Sequence, residues 1–227
     1  MDAKRAQKFT KLGKAITIAA RLGGENPDFN PNLRLAIEKA KEFNMPKDRI
    51  INSIKKGSGK DPDNQLEEIL YEALGPAGTM FLIETVTDKK NRTISELRKI
   101  MESFGGKMAD GGVGWNFKRK GILLIESGED QKENIFETAV LSGAEDVLEE
   151  ESEGRIIISV LTEVEKFSAV KEALSEFEMR ETKISYVPNN PQIFNEIEEK
   201  YQEKISCLME ELEDHPDVLE LYSNVIF

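Results

Sequence analysis

The 227-residue sequence is poor in the residues that most often do chemistry, since it contains one cysteine, Cys207, and one histidine, His215. A single cysteine excludes an internal disulfide bond and fits a reducing compartment such as the cytosol. One histidine and one cysteine provide no ligand cluster of the zinc type. We therefore expect no metal site and no cofactor.

Long hydrophobic runs are also absent, because no apolar segment approaches the ~20 residues needed to cross a bilayer. The first residues, Met1 to Arg5, lead into no apolar stretch, which argues against a secretory signal. These features predict a cytoplasmic protein that does not contact a membrane.

No sequence motif indicates a catalytic site. His215 precedes Pro216 in an acidic turn, which is typical of a surface residue. Cys207 stands among apolar positions of a predicted helix, which favours a packing role. The segment Gly57-Ser58-Gly59-Lys60 is not a P-loop, because Asp61 occupies the position where Ser or Thr binds magnesium. We therefore expect no enzymatic activity and no small-molecule substrate.

Charge is distributed unevenly along the chain. Residues 1–60 contain 14 Lys and Arg against 6 Asp and Glu, a net charge of +8. Residues 123–227 contain 8 against 27, a net charge of −19, although the whole chain carries only −12. Nucleic acid phosphates would be attracted to the first segment and repelled by the last.

The basic residues of the first segment predict a nucleic-acid-binding surface. Lys4, Lys8, Lys11 and Lys14 line the side of the first predicted helix that lies opposite its apolar face. We expect that replacing these four lysines with glutamate abolishes binding and leaves the fold intact. The full set of candidate binding residues is Lys4, Arg5, Lys8, Lys11, Lys14, Arg21, Arg34, Lys39, Lys41, Lys47, Arg49, Lys55, Lys56 and Lys60.

Simpler interpretations of these patterns stay open. A basic helix face can be a solvated surface, and Lys55 and Lys56 can merely complement the dipole at a helix C-terminus. Trp115 and Phe117 could stack on bases, as aromatic strand residues do in some RNA-binding sheets. They share one face of an alternating pattern with Val113, however, which favours a core role.

Hydrophobic periodicity predicts the order of the helices and strands. Residues 1–60 are expected to form three short helices, and residues 121–187 follow the β-α-β-β-α-β order of a ferredoxin-like domain. The remaining segments follow the same order: strand 79–87, helix 93–104, strands near 107–110 and 113–119, helix 195–212 and strand 218–225.

We therefore predict an α+β fold of three domains, an N-terminal helical bundle and two ferredoxin-like α/β domains, with the third domain inserted into the second. The predicted boundaries are 1–60 for the basic helical domain, 61–119 with 189–227 for the middle domain, and 120–188 for the inserted acidic domain. The insertion follows because the helix and strand of the tail have no neighbours in sequence that could complete a domain.

Several ordered motifs resemble one known family. They are Phe9–Leu12, Ala19–Gly24, Asn44–Lys47, Ile54–Gly59, Tyr71-Glu72, Gly75-Pro76, Thr87-Asp88, Asn91–Thr93, Phe117–Gly121 and Gly143–Asp146. In these stretches, and as far as Tyr222-Ser223-Asn224, the chain resembles the YebC/PmpR family of bacterial proteins, which includes mitochondrial translational activators of cytochrome c oxidase. The resemblance covers essentially the whole chain.

The resemblance implies three domains, no catalysis, sequence-selective DNA binding in some members and ribosome-linked help to translation in others. Members of that family usually begin with a longer basic arm that contains Gly-His-Ser-Lys-Trp, and the chain has no match to it before Asp2. If that arm binds nucleic acid in the family, the resemblance implies weaker binding by this chain.

The preferred hypothesis is a DNA-binding regulator of transcription. One alternative is a translational activator bound to ribosomal RNA, whose acidic third domain contacts basic ribosomal proteins. A second alternative is a protein-interaction module that binds no nucleic acid and works through its acidic face. Ribosomal and transcription proteins are accordingly candidate partners.

Overall fold

The computed structural model describes residues 2–58, 66–152 and 155–227, without the side chains of residues 2–4 and 152. The predicted linker from Lys60 to Gln65 therefore lies outside the described residues. The described chain forms two compact units, one of residues up to Gly114 together with Pro191–Phe227, and one of Trp115–Asn190.

Three helices open the first unit, as the periodicity predicted. They are α1 (Asp2–Gly23), α2 (Pro31–Glu42) and α3 (Lys47–Gly57). Asn30 caps α2 by accepting a hydrogen bond from the Leu33 amide, and its side-chain nitrogen donates to the carbonyls of Ala19 and Gly24. This single residue thus fixes the start of α2 against the end of α1.

The three helices bury a shared apolar core. Its central side chains are Leu12, Ile16, Leu33, Ala40 and Ile50. Gly57 lets α3 cross α1 closely, because a Cβ atom at this position would lie 2.2 Å from the carbonyl oxygen of Thr17.

A four-stranded antiparallel sheet completes the first unit. Its strands are β1 (Glu67–Leu74), β2 (Met80–Thr87), β3 (Lys107–Ala109) and β9 (Val218–Ser223), in the order β3-β1-β2-β9. Helices α4 (Lys90–Ser103) and α7 (Glu199–Asp214) pack on it. Phe81, Ile83, Leu97, Leu208 and Leu212 form the centre of this core. Two short strands, β8 (Gln192–Ile193) and β10 (Val225–Ile226), form a separate parallel pair.

The sequence prediction for this sheet was wrong at two places. Strand β1 was not predicted at all. The strand predicted at 113–119 does not exist as such, because Gly114–Asn116 forms a 3₁₀ turn and Phe117 begins the next strand.

The second unit has the predicted β-α-β-β-α-β order. Its elements are β4 (Phe117–Ser127), α5 (Lys132–Ser142), β5 (Asp146–Ser152), β6 (Arg155–Glu163), α6 (Phe167–Ala173) and β7 (Met179–Pro188). The strands pair in the order β5-β6-β4-β7, all antiparallel. Leu123, Ile125, Ile158, Val160 and Leu174 form its core. The ferredoxin-like prediction for this part of the chain is confirmed.

The two chain segments that enter and leave the second unit meet side by side. The Asn190 amide donates to the side-chain oxygen of Asn116 at 2.9 Å, and the Asn189 amide donates to the Asn116 carbonyl at 2.6 Å. The α+β fold class is confirmed, with N-terminal helices followed by two strand-rich parts. We propose the three domain boundaries given above as subdivisions of these two units.

Among the described residues, no helix combines the length and the apolar character that a bilayer crossing requires.

Candidate nucleic-acid interface

Five of the predicted binding residues present their charge to solvent on α2 and α3. Arg34, Lys41, Lys47, Lys55 and Lys56 are all exposed. Within the part of the chain that the structure describes, none of them forms an ion pair with an acidic side chain. Their charge is therefore available to an anionic partner.

Three further cations lie over aromatic rings of the helical region. The guanidinium groups of Arg5 and Arg49 lie 5.4 and 5.5 Å from the ring centre of Phe9. The ammonium of Lys8 lies 3.8 Å from the ring centre of Phe43. These contacts hold the side chains in place while all three residues stay exposed. Of the other predicted residues, Lys60 and the side chain of Lys4 lie outside the described residues.

Lys14 has a different role from the one its position on the helical wheel predicted. Its ammonium donates to the carbonyl oxygens of Val86 and Pro216, each at 3.0 Å, and forms an ion pair with Asp217. Only 16% of the Lys14 side chain is exposed. Lys14 therefore fastens α1 to the sheet of the first unit, and its charge is not available to a nucleic acid.

Neighbouring cations make related contacts with the tail of the chain. Lys11 donates to the carbonyl of Glu213, and Lys39 pairs with Glu220 at 3.0 Å. Burial lowers the pKa of Lys11, although the acidic residues around it act in the opposite direction. Arg21 donates to the carbonyl of Leu66. The predicted lysine stripe on α1 is thus divided between a solvent-facing part and a part that contacts the tail.

Asp217 is the centre of the contact between α1 and the tail. Its carboxylate accepts hydrogen bonds from Thr93 at 2.7 Å and Arg92 at 2.9 Å, in addition to the ion pair with Lys14. Burial alone would raise the pKa of Asp217, but the hydrogen bonds from Lys14, Thr93 and Arg92 outweigh it and hold that pKa well below its ordinary value. No local pattern in the sequence indicated this role, because Lys14 and Asp217 are 203 residues apart.

His215 is buried, so its interpretation as a surface residue was wrong. Its Nδ1 accepts the Asp217 amide hydrogen at 3.1 Å, and its Nε2 lies 3.1 Å from Glu96 Oε2. Because Nδ1 is the acceptor, Nε2 carries the proton and donates to Glu96. Burial lowers the pKa of His215, and this outweighs the opposite effect of the Glu96 hydrogen bond.

The same group offers an apparent metal site that its hydrogen bonds do not fit. Ligand atoms of Glu96, His215 and Asp217 lie within 4.8 Å of one another. A metal would need an unprotonated Nε2, which the amide hydrogen bond to Nδ1 excludes. The carboxylate of Asp217 already forms ion pairs with Lys14 and Arg92. The arrangement is therefore an ion-pair cluster that positions α1.

A cleft of about 770 Å³ opens beside this cluster within the first unit. One wall consists of side chains from α1 and α3, including Phe9, Arg49, Asn52 and Lys56. Asp88, Arg92, Glu96 and Asp217 also line the cleft.

Two further sequence interpretations concern single residues. Trp115 is 64% exposed, so the core role predicted for it was wrong, whereas Phe117 is 6% exposed and does lie in the core. The turn at Gly114–Asn116 breaks the alternation and turns the indole outwards. Cys207 is exposed on α7, so the packing role predicted for it was also wrong.

The fold and this surface define a class: an α+β protein with a basic helical N-terminal part and a second strand-rich part inserted into the first. Two family models match the sequence, described as the TACO1/YebC protein N-terminal domain over residues 1–60 and as the TACO1/YebC second and third domain over residues 66–225. The chain belongs to the TACO1/YebC family, which confirms the resemblance found in its motifs.

Curated relatives and a solved structure agree with this assignment. A probable transcriptional regulatory protein of Fusobacterium nucleatum is 43% identical over 98% of this chain and 88% of its own length. One of Geobacter sulfurreducens is 42% identical over the same shares. The crystal structure of a conserved hypothetical protein from Aquifex aeolicus is 37% identical, with a TM-score of 0.81 over 99% of this chain and 91% of that one.

Proposed function

We propose that the chain is a non-catalytic regulator of gene expression that binds nucleic acid through its N-terminal helices, with duplex DNA as the target. The curated relatives are named probable transcriptional regulatory proteins, which supports a regulatory role. The observation that carries the proposal is the exposed group Arg34, Lys41, Lys47, Lys55 and Lys56, whose charges no described acidic side chain neutralises.

The charges of the N-terminal helices and of the second unit also support binding through the helices. Residues 1–60 carry a net charge of +8, whereas residues 115–190 contain 9 Lys and Arg against 17 Asp and Glu. Phosphates are attracted to the first surface and repelled by the second. A nucleic acid would thus be held by the helices without adhering to the rest of the molecule.

The test is a salt titration of duplex DNA binding, with a matched pair of variants. The logarithm of the binding constant should fall with the logarithm of salt concentration by about 0.9 for each phosphate neutralised. Lys47→Ala with Lys55→Ala should reduce that slope by about 2. The control is Arg98→Ala with Lys99→Ala, which removes two exposed cations from α4 and should leave the slope unchanged.

Co-sedimentation with ribosomes separates the DNA target from the ribosomal alternative. A chain that binds duplex DNA and does not sediment with ribosomes behaves as proposed. Co-sedimentation without duplex binding would replace transcription by translation as the regulated step. If the chain binds neither duplex DNA nor ribosomes, only the acidic protein-interaction alternative is left.

A further inference from the structure

We propose that the cleft which α1 and α3 form with α4 takes an unpaired strand of nucleic acid, with its backbone along α3. The inference rests on the proposed function in that it needs nucleic acid as the ligand. It concerns a largely different surface, however, because Lys56 is the one member of the exposed group Arg34, Lys41, Lys47, Lys55 and Lys56 that also lines the cleft.

The size of the cleft favours a flexible strand over a duplex. A volume of about 770 Å³ lies within the range of roughly 300–1,000 Å³ that holds small ligands. A duplex keeps its bases stacked and paired inside, so they could not enter a recess of this size. An unpaired strand can turn its bases out and insert them one at a time.

The α3 wall provides the contacts that a backbone requires. Arg49, Asn52 and Lys56 line it at positions i, i+3 and i+7, which lie along one side of a helix. Seven residues of helix span about 10 Å, or the axial length of about three stacked nucleotides at 3.4 Å each. Arg49 and Lys56 are exposed and form no ion pair among the described residues, so both can neutralise a phosphate.

Aromatic and planar groups stand at the same wall. Phe9 is half-buried, and the guanidinium groups of Arg5 and Arg49 lie within 5.5 Å of its ring centre. Base stacking on aromatic rings and on guanidinium planes is the usual way in which unpaired nucleotides are held. The Phe9 ring and the Arg49 guanidinium both line the cleft and therefore offer a platform for a base whose phosphate contacts α3.

The part of the lining that Asp88, Arg92 and Glu96 contribute suits base edges better than phosphates. Asp88 and Glu96 place carboxylates there, and Arg92 is held by Asp88 at 3.2 Å and by Asp217 at 2.9 Å. Carboxylates accept hydrogen bonds from the amino groups of bases and repel phosphates. Since Lys14 is also committed to Asp217, the cations left for a backbone are those on α3. A bound strand would therefore place its phosphates towards α3 and its bases towards the carboxylates of Asp88 and Glu96.

The experiment compares a blunt DNA duplex with the same duplex carrying a four-nucleotide overhang, by fluorescence anisotropy on the full chain. We expect the overhang to tighten binding at least fivefold. Arg49→Ala with Lys56→Ala should remove that gain. The matched variant Lys47→Ala with Lys55→Ala should weaken both ligands equally and keep the gain. Phe9→Leu, which retains an apolar side chain, should reduce the gain and leave blunt-duplex binding unchanged.

The outcomes separate the two proposals. An overhang that adds nothing, or a gain that survives Arg49→Ala with Lys56→Ala, overturns the cleft proposal while blunt-duplex binding still supports the proposed function. Binding of overhangs and single strands without any blunt-duplex binding supports the cleft and refutes the duplex target. Single-stranded RNA and DNA of the same sequence identify which backbone is preferred. If adenosine monophosphate competes with the overhang as well as a tetranucleotide does, the cleft is a small-molecule site and the proposal of a bound strand is wrong.

Discussion

Replacing Lys14 with methionine tests the contact between α1 and the tail. Methionine keeps an apolar stem of similar length but removes the charge and the hydrogen bonds to Val86, Pro216 and Asp217. The sequence pattern alone led us to expect that charge reversal of four α1 lysines leaves the fold intact. The structure predicts the opposite for this one residue.

The magnitude follows from burial. Asp217 is 3% exposed, and removing one partner of a buried ion pair costs about 3–5 kcal/mol. Arg92 and Thr93 still donate to the carboxylate, so we expect a loss near the lower limit, about 3 kcal/mol. The control is Lys39→Met, because Lys39 and Glu220 form an ion pair at 3.0 Å that is 58% and 51% exposed. Such a pair contributes at most about 1 kcal/mol.

Amide hydrogen exchange distinguishes the two units in one experiment. A loss of about 3 kcal/mol corresponds to roughly 150-fold faster exchange, at tenfold for each 1.4 kcal/mol. We expect this for the slowest amides of α1 and β2 in Lys14→Met. Residues 115–190 serve as an internal reference that should not change. Equal effects of Lys14→Met and Lys39→Met, or acceleration spread over both units, would refute the reasoning.

Three further outcomes are expected. The pKa of Asp217 in the folded protein lies below its unfolded value near 4, so the carboxylate stabilises the first unit above about pH 4. This stabilisation should be lost as the pH falls further. Urea midpoints measured against pH should show the loss, and Asp217→Asn should make the pH dependence flatter. Trp115→Ala should change the unfolding free energy by less than about 1 kcal/mol, whereas Phe117→Ala should cost about 3–5 kcal/mol; comparable losses would contradict the outward indole. A fragment of residues 115–190 should show a cooperative thermal transition by circular dichroism, and a gradual one would mean that the unit needs the rest of the chain.

The second unit could be predicted closely because its signals are local. Its central strands contain short apolar runs, and Gly143 ends α5 with a φ of 103°, a conformation that glycine adopts without strain. Each strand pairs with a strand from the same stretch of 76 residues, Trp115–Asn190. Periodicity and turn residues were therefore enough to give the correct order of elements.

Strand β1 escaped prediction because charge interrupts its apolar pattern. Glu67, Glu68 and Glu72 lie within its eight residues. The structure shows a use for Glu72, whose carboxylate accepts the amide hydrogens of Val113 and Gly114 at 2.6 and 3.0 Å. The Glu72 carboxylate thus holds the turn at Val113 and Gly114, more than forty residues away. A pattern read over a short stretch of sequence cannot reveal such a contact.

The candidate site was predictable in composition but not in arrangement. The excess of basic residues at the N-terminus is visible in the sequence, and most of these side chains are exposed. Which lysines face solvent depends on where the tail packs. Asp217, which the tail brings to α1, pairs with Lys14, whereas Lys8 stays exposed.

The insertion of one unit into the other also has a consequence for synthesis on the ribosome. Residues 115–190 form a compact unit whose contacts lie within the segment, so the nascent segment can fold as soon as it emerges from the ribosome. The sheet of the first unit must wait for α7 and β9, which belong to the final 37 residues, Pro191–Phe227. Until then Lys14 has no Asp217 to bind. The part of the protein that is made first is therefore completed last.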